Sequence, residues 1–153
     1  MKRGKYRKAI FAIVYSISKN SVDYAILRRK KHWTGWEFPK GKIELFETKK
    51  MAVKREVKEE TGLHILNIKK FDVEGYYDYP KKLEDRPGVI GQTYSLFAVE
   101  VKKGRIKIDK KEHSDSEWMN FEKAIKKLTW KNQKDCLRVV NYWLRGNILR
   151  DGI

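Results

Sequence analysis

The chain has 153 residues, 41% of them hydrophobic and 12% aromatic, enough material for one buried core. Lys and Arg number 36 against 20 Asp and Glu, a formal charge of +16 whose potential suits anionic ligands, polyphosphates first and RNA second. A single cysteine, Cys136, excludes an intramolecular disulfide and a cysteine metal cluster, and no segment is apolar for the length a membrane crossing needs. The expectation is one domain over residues 1–153, cytoplasmic, with no membrane contact and no stable protein partner.

Residues 7–16 alternate and then run apolar, as a strand buried on at least one side does. Lys19-Asn20-Ser21 supplies a turn, and residues 24–27 continue as a second strand. Residues 32–40, punctuated by Gly35 and Pro39, read as a loop that delivers the chain to Gly41. The run from Lys49 to Thr61 has no glycine or proline, and Ala52 and Val53 precede Val57 by one turn, so it reads as a helix ended by Gly62. Residues 65–77 form a long strand with a bend at Gly75. Residues 78–91, with Pro80, Pro87 and Gly88 among charges, form a solvent-facing loop.

Residues 92–101 return to strand character, residues 105–108 suit a short edge strand, and another short strand surrounds Trp118. Asn120 then caps a helix over 121–128, and a last helix covers 132–144 with Cys136, Val139, Val140 and Trp143 as its apolar stripe. Cys136 in such a stripe packs as a hydrophobe. Strands, a helix, more strands and terminal helices give a layered α/β or α+β domain.

On the helix after Gly41, Glu56, Glu59 and Glu60 stand at i, i+3 and i+4, so their carboxylates share a face. Three anions so placed call for a cation, and a hard divalent ion, Mg²⁺ or Mn²⁺, takes oxygen ligands and leaves room for phosphate oxygens. Gly41, then Glu47 after five residues, then Arg55-Glu56-Val57-Lys58-Glu59-Glu60-Thr61-Gly62-Leu63 after seven more, resembles the box of the Nudix hydrolases at every defining position. The resemblance implies an αβα sandwich with a mixed central sheet over nearly the whole chain. It also implies hydrolysis of a nucleoside diphosphate linked to another group, by water, with a divalent metal.

By that resemblance Glu56, Glu59 and Glu60 are metal ligands, with the carbonyl of Gly41 as a further one. Arg55, at i, i+4 from Glu59, braces the carboxylates and meets Glu47, while Gly62 and Glu47 are structural. The general base comes either from the box helix or from Glu112, in a Glu112-His113 pair followed by Trp118 that resembles diadenosine polyphosphate hydrolases.

Trp36-Glu37-Phe38-Pro39-Lys40-Gly41-Lys42-Ile43-Glu44 is similar to the same stretch of the asymmetric dinucleoside tetraphosphatases, as are Trp118 to Ala124 and Leu128 to Gln133. Lys40 and Lys42 are the candidate phosphate contacts there. Tyr76, Tyr77 and Tyr79 offer rings for a base, with at most one of Tyr76 and Tyr77 facing the ligand, and Lys81, Lys82 and Arg86 offer charge. Against this, Gly91-Gln92 before its strand looks like the bacterial enzymes that trim pyrophosphate from RNA 5′ ends. The expected substrate is a dinucleoside polyphosphate, diadenosine tetraphosphate giving ATP and AMP, with 5′-triphosphorylated or capped RNA as the alternative. A non-enzymatic RNA-binding module is the reading from another class, but it has no use for a carboxylate triplet that repels phosphate.

Overall fold

The structure, a computed structural model, describes residues 2–147; the two ends of the expected 1–153 domain lie outside them. The chain begins with strands β1 (Lys5–Ser18) and β2 (Ser21–Arg29), joined by a tight turn in which Lys19 and Asn20 take φ of 48° and 62°. Both residues in the left-handed region suit the twist of a two-residue hairpin. Short strands β3 (Gly35–Glu37) and β4 (Lys40–Lys42) follow, then helix α1 (Lys49–Thr61). Strands β5 (Ile65–Asp78), β6 (Val89–Val101) and β7 (His113–Met119) come next, and helices α2 (Phe121–Lys127) and α3 (Lys131–Asn147) close the described chain.

All seven described strands form one sheet, ordered β3-β2-β1-β6-β5, with β4 on β1 and β7 on β2. β1 and β6 run parallel and the other pairs antiparallel, so the sheet is mixed. The apolar run of β1 is explained by burial on both faces. Phe11, Ile13 and Tyr15 point into a core with Leu137, Val140 and Leu144 of α3, whereas Ile10, Ala12 and Val14 meet Ala52, Val53 and Val57 of α1. The result is the expected αβα sandwich. Cys136 is buried in the α3 core.

What positions the site is a fork in the sheet. β2 pairs with β1 only over Ser21 to Tyr24; beyond that, β3 takes the β2 edge at Leu27 to Arg29 and β4 takes the β1 edge at Ala9 to Phe11. Residues 32–40, read from sequence as loop, therefore contain strand β3 and the start of β4. Each is only three residues long, too short for alternation to register. The chain between them is held from below: Phe38 N–H donates to Gln133 Oε1 at 3.0 Å and Trp36 N–H to Thr129 Oγ1 at 2.8 Å.

Helix α1 spans the expected residues, with the Thr48 hydroxyl accepting from Met51 N–H and Gly62 at φ 67° in the left-handed cap. Four other expectations need correction. Residues 105–108 form no strand; Lys107 N–H instead donates to Thr61 O at 2.8 Å and satisfies the end of α1. The irregularities of β5 lie between Ile65 and Asn67 and between Lys70 and Glu74, not at Gly75, which pairs regularly with Tyr94 and is a glycine because the Tyr94 ring lies against it. Residues 78–91 are not simply solvent-facing, since Tyr79 and Leu83 are buried. In α3, Val139 is exposed and Leu137 and Leu144 complete the buried stripe.

Candidate active site

Between the fork, the open face of α1 and the strand-preceding loop lies a cleft of about 700 Å³. Gly41 of β4 packs directly on Glu56: a β-carbon there would stand 2.1 Å from the Glu56 carboxyl carbon. Any side chain at 41 would push that carboxylate away. Arg55 then fixes the helix face. Its Nε and Nη2 donate to the two oxygens of Glu47 at 2.8 and 2.9 Å, Nη2 also to Lys42 O at 2.8 Å, and Nη1 to Glu56 at 2.7 Å and Glu59 at 3.4 Å. Such a bidentate pair orients as well as attracts, and it holds Glu47 down to a pKa of about 2.

The three box carboxylates do not share one environment. Glu56 and Glu60 are buried, and Glu59 is exposed with its carboxylate on Arg55. Burial pushes Glu56 up to about 7, against the pull of Arg55. Burial, reinforced by the charges of Glu56, Glu37 and Glu112, pushes Glu60 well above the usual carboxylate range. One Glu60 oxygen accepts from Lys40 N–H at 3.1 Å; the other, buried, has no hydrogen-bond partner among the described residues.

That orphaned oxygen faces a residue to which sequence reasoning assigned no role. His113, fully buried on β7, places Nδ1 4.0 Å from Glu60 Oε1, and Nδ1 likewise has no hydrogen-bond partner among the described residues. Its Nε2 lies 2.9 Å from Glu37 Oε2; an ionised carboxylate only accepts, so Nε2 carries a proton, which leaves Nδ1 as the nitrogen that can turn a lone pair to a cation. Ligand atoms of Glu60, Glu112 and His113 all lie within 4.8 Å of one another. Two orphaned, buried donor atoms beside crowded carboxylates of raised pKa fit a cation. The fold thus brings Glu112 and His113 to Glu60, while Gly41 packs on Glu56 and the exposed Glu59 turns to Arg55.

Glu37 is the centre of a second, buried network. Arg29 Nη1 lies 3.1 Å from its Oε2 and Lys40 Nζ 3.4 Å from its Oε1, the latter an ion pair without hydrogen-bond alignment. Burial alone would raise the Glu37 pKa, but Lys40, the His113 hydrogen bond and Arg29 hold it at about 2. Lys40, expected on a loop, is a strand residue whose ammonium also lies 5.2, 4.9 and 5.4 Å from the ring centroids of Trp33, Tyr77 and Trp130.

The other candidates divide. Lys42, Tyr77, Glu112 and Arg86 line the cleft; Tyr79, Lys81 and Lys82 do not. Tyr79 is buried, its hydroxyl donating to Gln92 at 3.1 Å and accepting from Arg86 at 2.8 Å, so it orders the wall instead of offering a free ring. Tyr76 meets Tyr6 edge-on, while Tyr77 faces the cleft. Lys5, Arg7 and Lys8 at the start of β1 also line it. Their signal was the basic run before the apolar one.

The raised carboxylates have a testable consequence. Glu56 and Glu60 hold protons more tightly folded than unfolded, so they cost stability at high pH; for Glu56 the cost is relieved as pH falls through about 7 toward 4.5, and for Glu60 the change has the same sign. Metal-free wild type is expected to gain several degrees in Tm relative to the Glu56→Gln, Glu60→Gln double variant between pH 8 and pH 5. Parallel melting curves would remove the basis for the crowding described.

Residues 5–139 match the family model described as NUDIX domain. The RNA pyrophosphohydrolase of a Nitratiruptor species is 35% identical over 116 residues, 73% of this chain and 75% of that protein. That of Campylobacter jejuni is 30% identical over 144 residues, 90% of this chain and 92% of its own. Among solved structures, a NUDIX hydrolase from Listeria monocytogenes superposes with a TM-score of 0.75 at 22% identity, covering 91% of this chain and 94% of that one. A C. elegans Ap4A hydrolase superposes with a TM-score of 0.72 at 20% identity, covering 92% and 98%; at such identities the likeness concerns the fold.

Proposed function

We infer that this chain, which belongs to the NUDIX family and is a pyrophosphohydrolase, acts first on the 5′-triphosphate end of RNA. The observation that supports this most is the cleft itself: a carboxylate floor of Glu56, Glu60 and Glu112, walled by cations from β1, β4 and the loop after β5. The relatives at 35% and 30% identity, both named for RNA pyrophosphohydrolysis, favour the same substrate. Dinucleoside polyphosphates are the second reading, favoured by Glu112 and His113 standing together at Glu60. The involvement of Lys40 with Glu37 weakens its expected role as a free phosphate contact.

Glu56, Glu60, Glu112 and His113 would hold a divalent ion, with carboxylate oxygens favouring Mg²⁺ or Mn²⁺. Such an ion supplies charge neutralisation at the phosphoryl oxygens. The protein's own part is positional. Arg55 keeps Glu56 and Glu47 in place, while Lys8, Lys42 and Arg86 draw the triphosphate into the cleft. Water attacks phosphorus as a Glu112 carboxylate oxygen takes its proton; a new P–O bond forms, the bridging P–O bond breaks, and its electron pair leaves with pyrophosphate.

The test is a substrate panel at equal concentration, with Mg²⁺ and physiological salt: 5′-triphosphorylated RNA, diadenosine tetraphosphate and nucleoside triphosphates. RNA is expected to have the highest kcat/KM and the steepest loss with added salt, because several backbone contacts release counterions together. A higher kcat/KM for the dinucleotide, with ATP and AMP as products, would make the second reading the right one.

A further inference from the structure

Between β4 and α1 the chain makes a turn that is rigid and wrongly dressed for solvent. Glu47 N–H donates to Glu44 O at 3.0 Å, Glu44 N–H donates to the Glu47 carboxylate at 2.9 Å, and Arg55 grips that same carboxylate. The two residues at its tip are Leu45, 83% exposed, and Phe46, 94% exposed; Met51, 53% exposed, follows on the first turn of α1. Phe46 takes φ 62°, a left-handed conformation that glycine adopts freely and a phenylalanine only under strain. A strained, fully exposed aromatic on a locked turn points to a use for the ring.

What the ring meets is indicated by where the turn begins. Lys42, Ile43 and Glu44 all line the active-site cleft, so a ligand leaving the cleft along β4 arrives at Phe46. Lys42 is exposed and makes no ion pair among the described residues, and Lys50, also exposed, follows the turn in the first turn of α1. Three apolar side chains ringed by charge are far too few for a stable protein interface, which takes roughly 20 residues a side. They suit a flat base flanked by phosphates, since every base has a π-face and needs only one aromatic ring.

We propose that Phe46 is a stacking platform for a nucleobase of single-stranded RNA whose 5′ end lies in the cleft, with Lys42 and Lys50 meeting the adjoining phosphates. This rests on the RNA reading above and names the length of substrate that reading requires. A nucleoside triphosphate ends inside the cleft; a longer strand reaches the platform.

The experiment compares Phe46→Gly and Phe46→Trp with wild type on 5′-triphosphorylated RNA of about eight nucleotides, within the footprint of single-strand sites, and on GTP. Glycine keeps the turn without strain, so near-UV circular dichroism and Tm should confirm the fold. Loss of one stacked base is expected to lower kcat/KM on the long RNA by roughly 5- to 100-fold, leave GTP unchanged, and be largely restored by tryptophan. Equal wild-type and Phe46→Gly rates on the long RNA would overturn the platform while leaving the RNA reading intact. No RNA cleavage by wild type, with diadenosine tetraphosphate cleaved, would overturn the reading and the platform together. A wild-type dimer in sedimentation that Phe46→Gly converts to monomer would overturn the platform in favour of contact between copies.

Discussion

Glu60→Gln is expected to lower kcat by roughly three orders of magnitude, the scale at which removal of one charge-stabilising group acts, without lowering Tm. The two halves of this expectation have the same origin. Glu60 is buried and crowded by Glu56, Glu37 and Glu112, so its proton-bearing form is the comfortable one in metal-free protein. Glutamine imitates that form. Its amide oxygen can still accept from Lys40 N–H, as Glu60 Oε2 does at 3.1 Å, and its charge is gone from a place where charge costs stability. What glutamine cannot do is present an anionic oxygen beside His113 Nδ1 and Glu112. Steady-state kinetics and a melting curve on the same preparation check both halves; unchanged turnover would remove Glu60 from the chemistry.

Glu37→Gln is expected to do the opposite, costing the fold about 3–5 kcal/mol, the usual penalty for removing one partner of a buried pair, or roughly 10 °C in Tm. Glu37 is the only described carboxylate paired with either Arg29, which is buried, or Lys40, whose side chain is nearly so. Without it two cations stand at the floor of the cleft with little water to screen them. The His113 ring also loses the acceptor that fixes its tautomer, so kcat should fall as well. A Glu37→Gln, Lys40→Met double variant should recover part of the stability, since one of the stranded charges is then absent. A Tm within a degree or two of wild type would show that this network does not hold the fork together.

The contrast between these two glutamates marks what could be read in the sequence. Glu60 was legible because helix geometry is local: spacing from Glu56 and a clean run from Thr48 to Gly62 define a face without any knowledge of the rest. Arg55 beside Glu59 followed from the same spacing, whereas its contact with Glu47, which precedes the helix, was implied by the resemblance of the box. Glu37 sat in full view within Trp36 to Lys40, but apart from Lys40 on β4 its partners arrive from elsewhere, Arg29 on β2 and His113 on β7. No local pattern announces a contact made by four strands. Residues 105–108 failed for a related reason: their composition suits a strand, but the end of α1 takes their N–H in place of a sheet edge. Val139 failed because a stripe read at helical spacing tells which face is apolar, not which neighbour covers its margin.

In the proposed site, Glu56, Glu60, Glu112 and His113 hold a divalent ion on the floor of the cleft. Calorimetric titration of metal-free protein with Mn²⁺ at pH 7, repeated in buffers of different ionisation enthalpy, tests it directly. Because Glu56 and Glu60 in metal-free protein bind protons more tightly than free carboxylates do, metal binding must release protons, and the observed heat should change with the buffer. Wild type is expected to bind with buffer-dependent heat and Glu60→Gln to lose most of the affinity. Equal affinity in both proteins, with heat that is the same in every buffer, would contradict it.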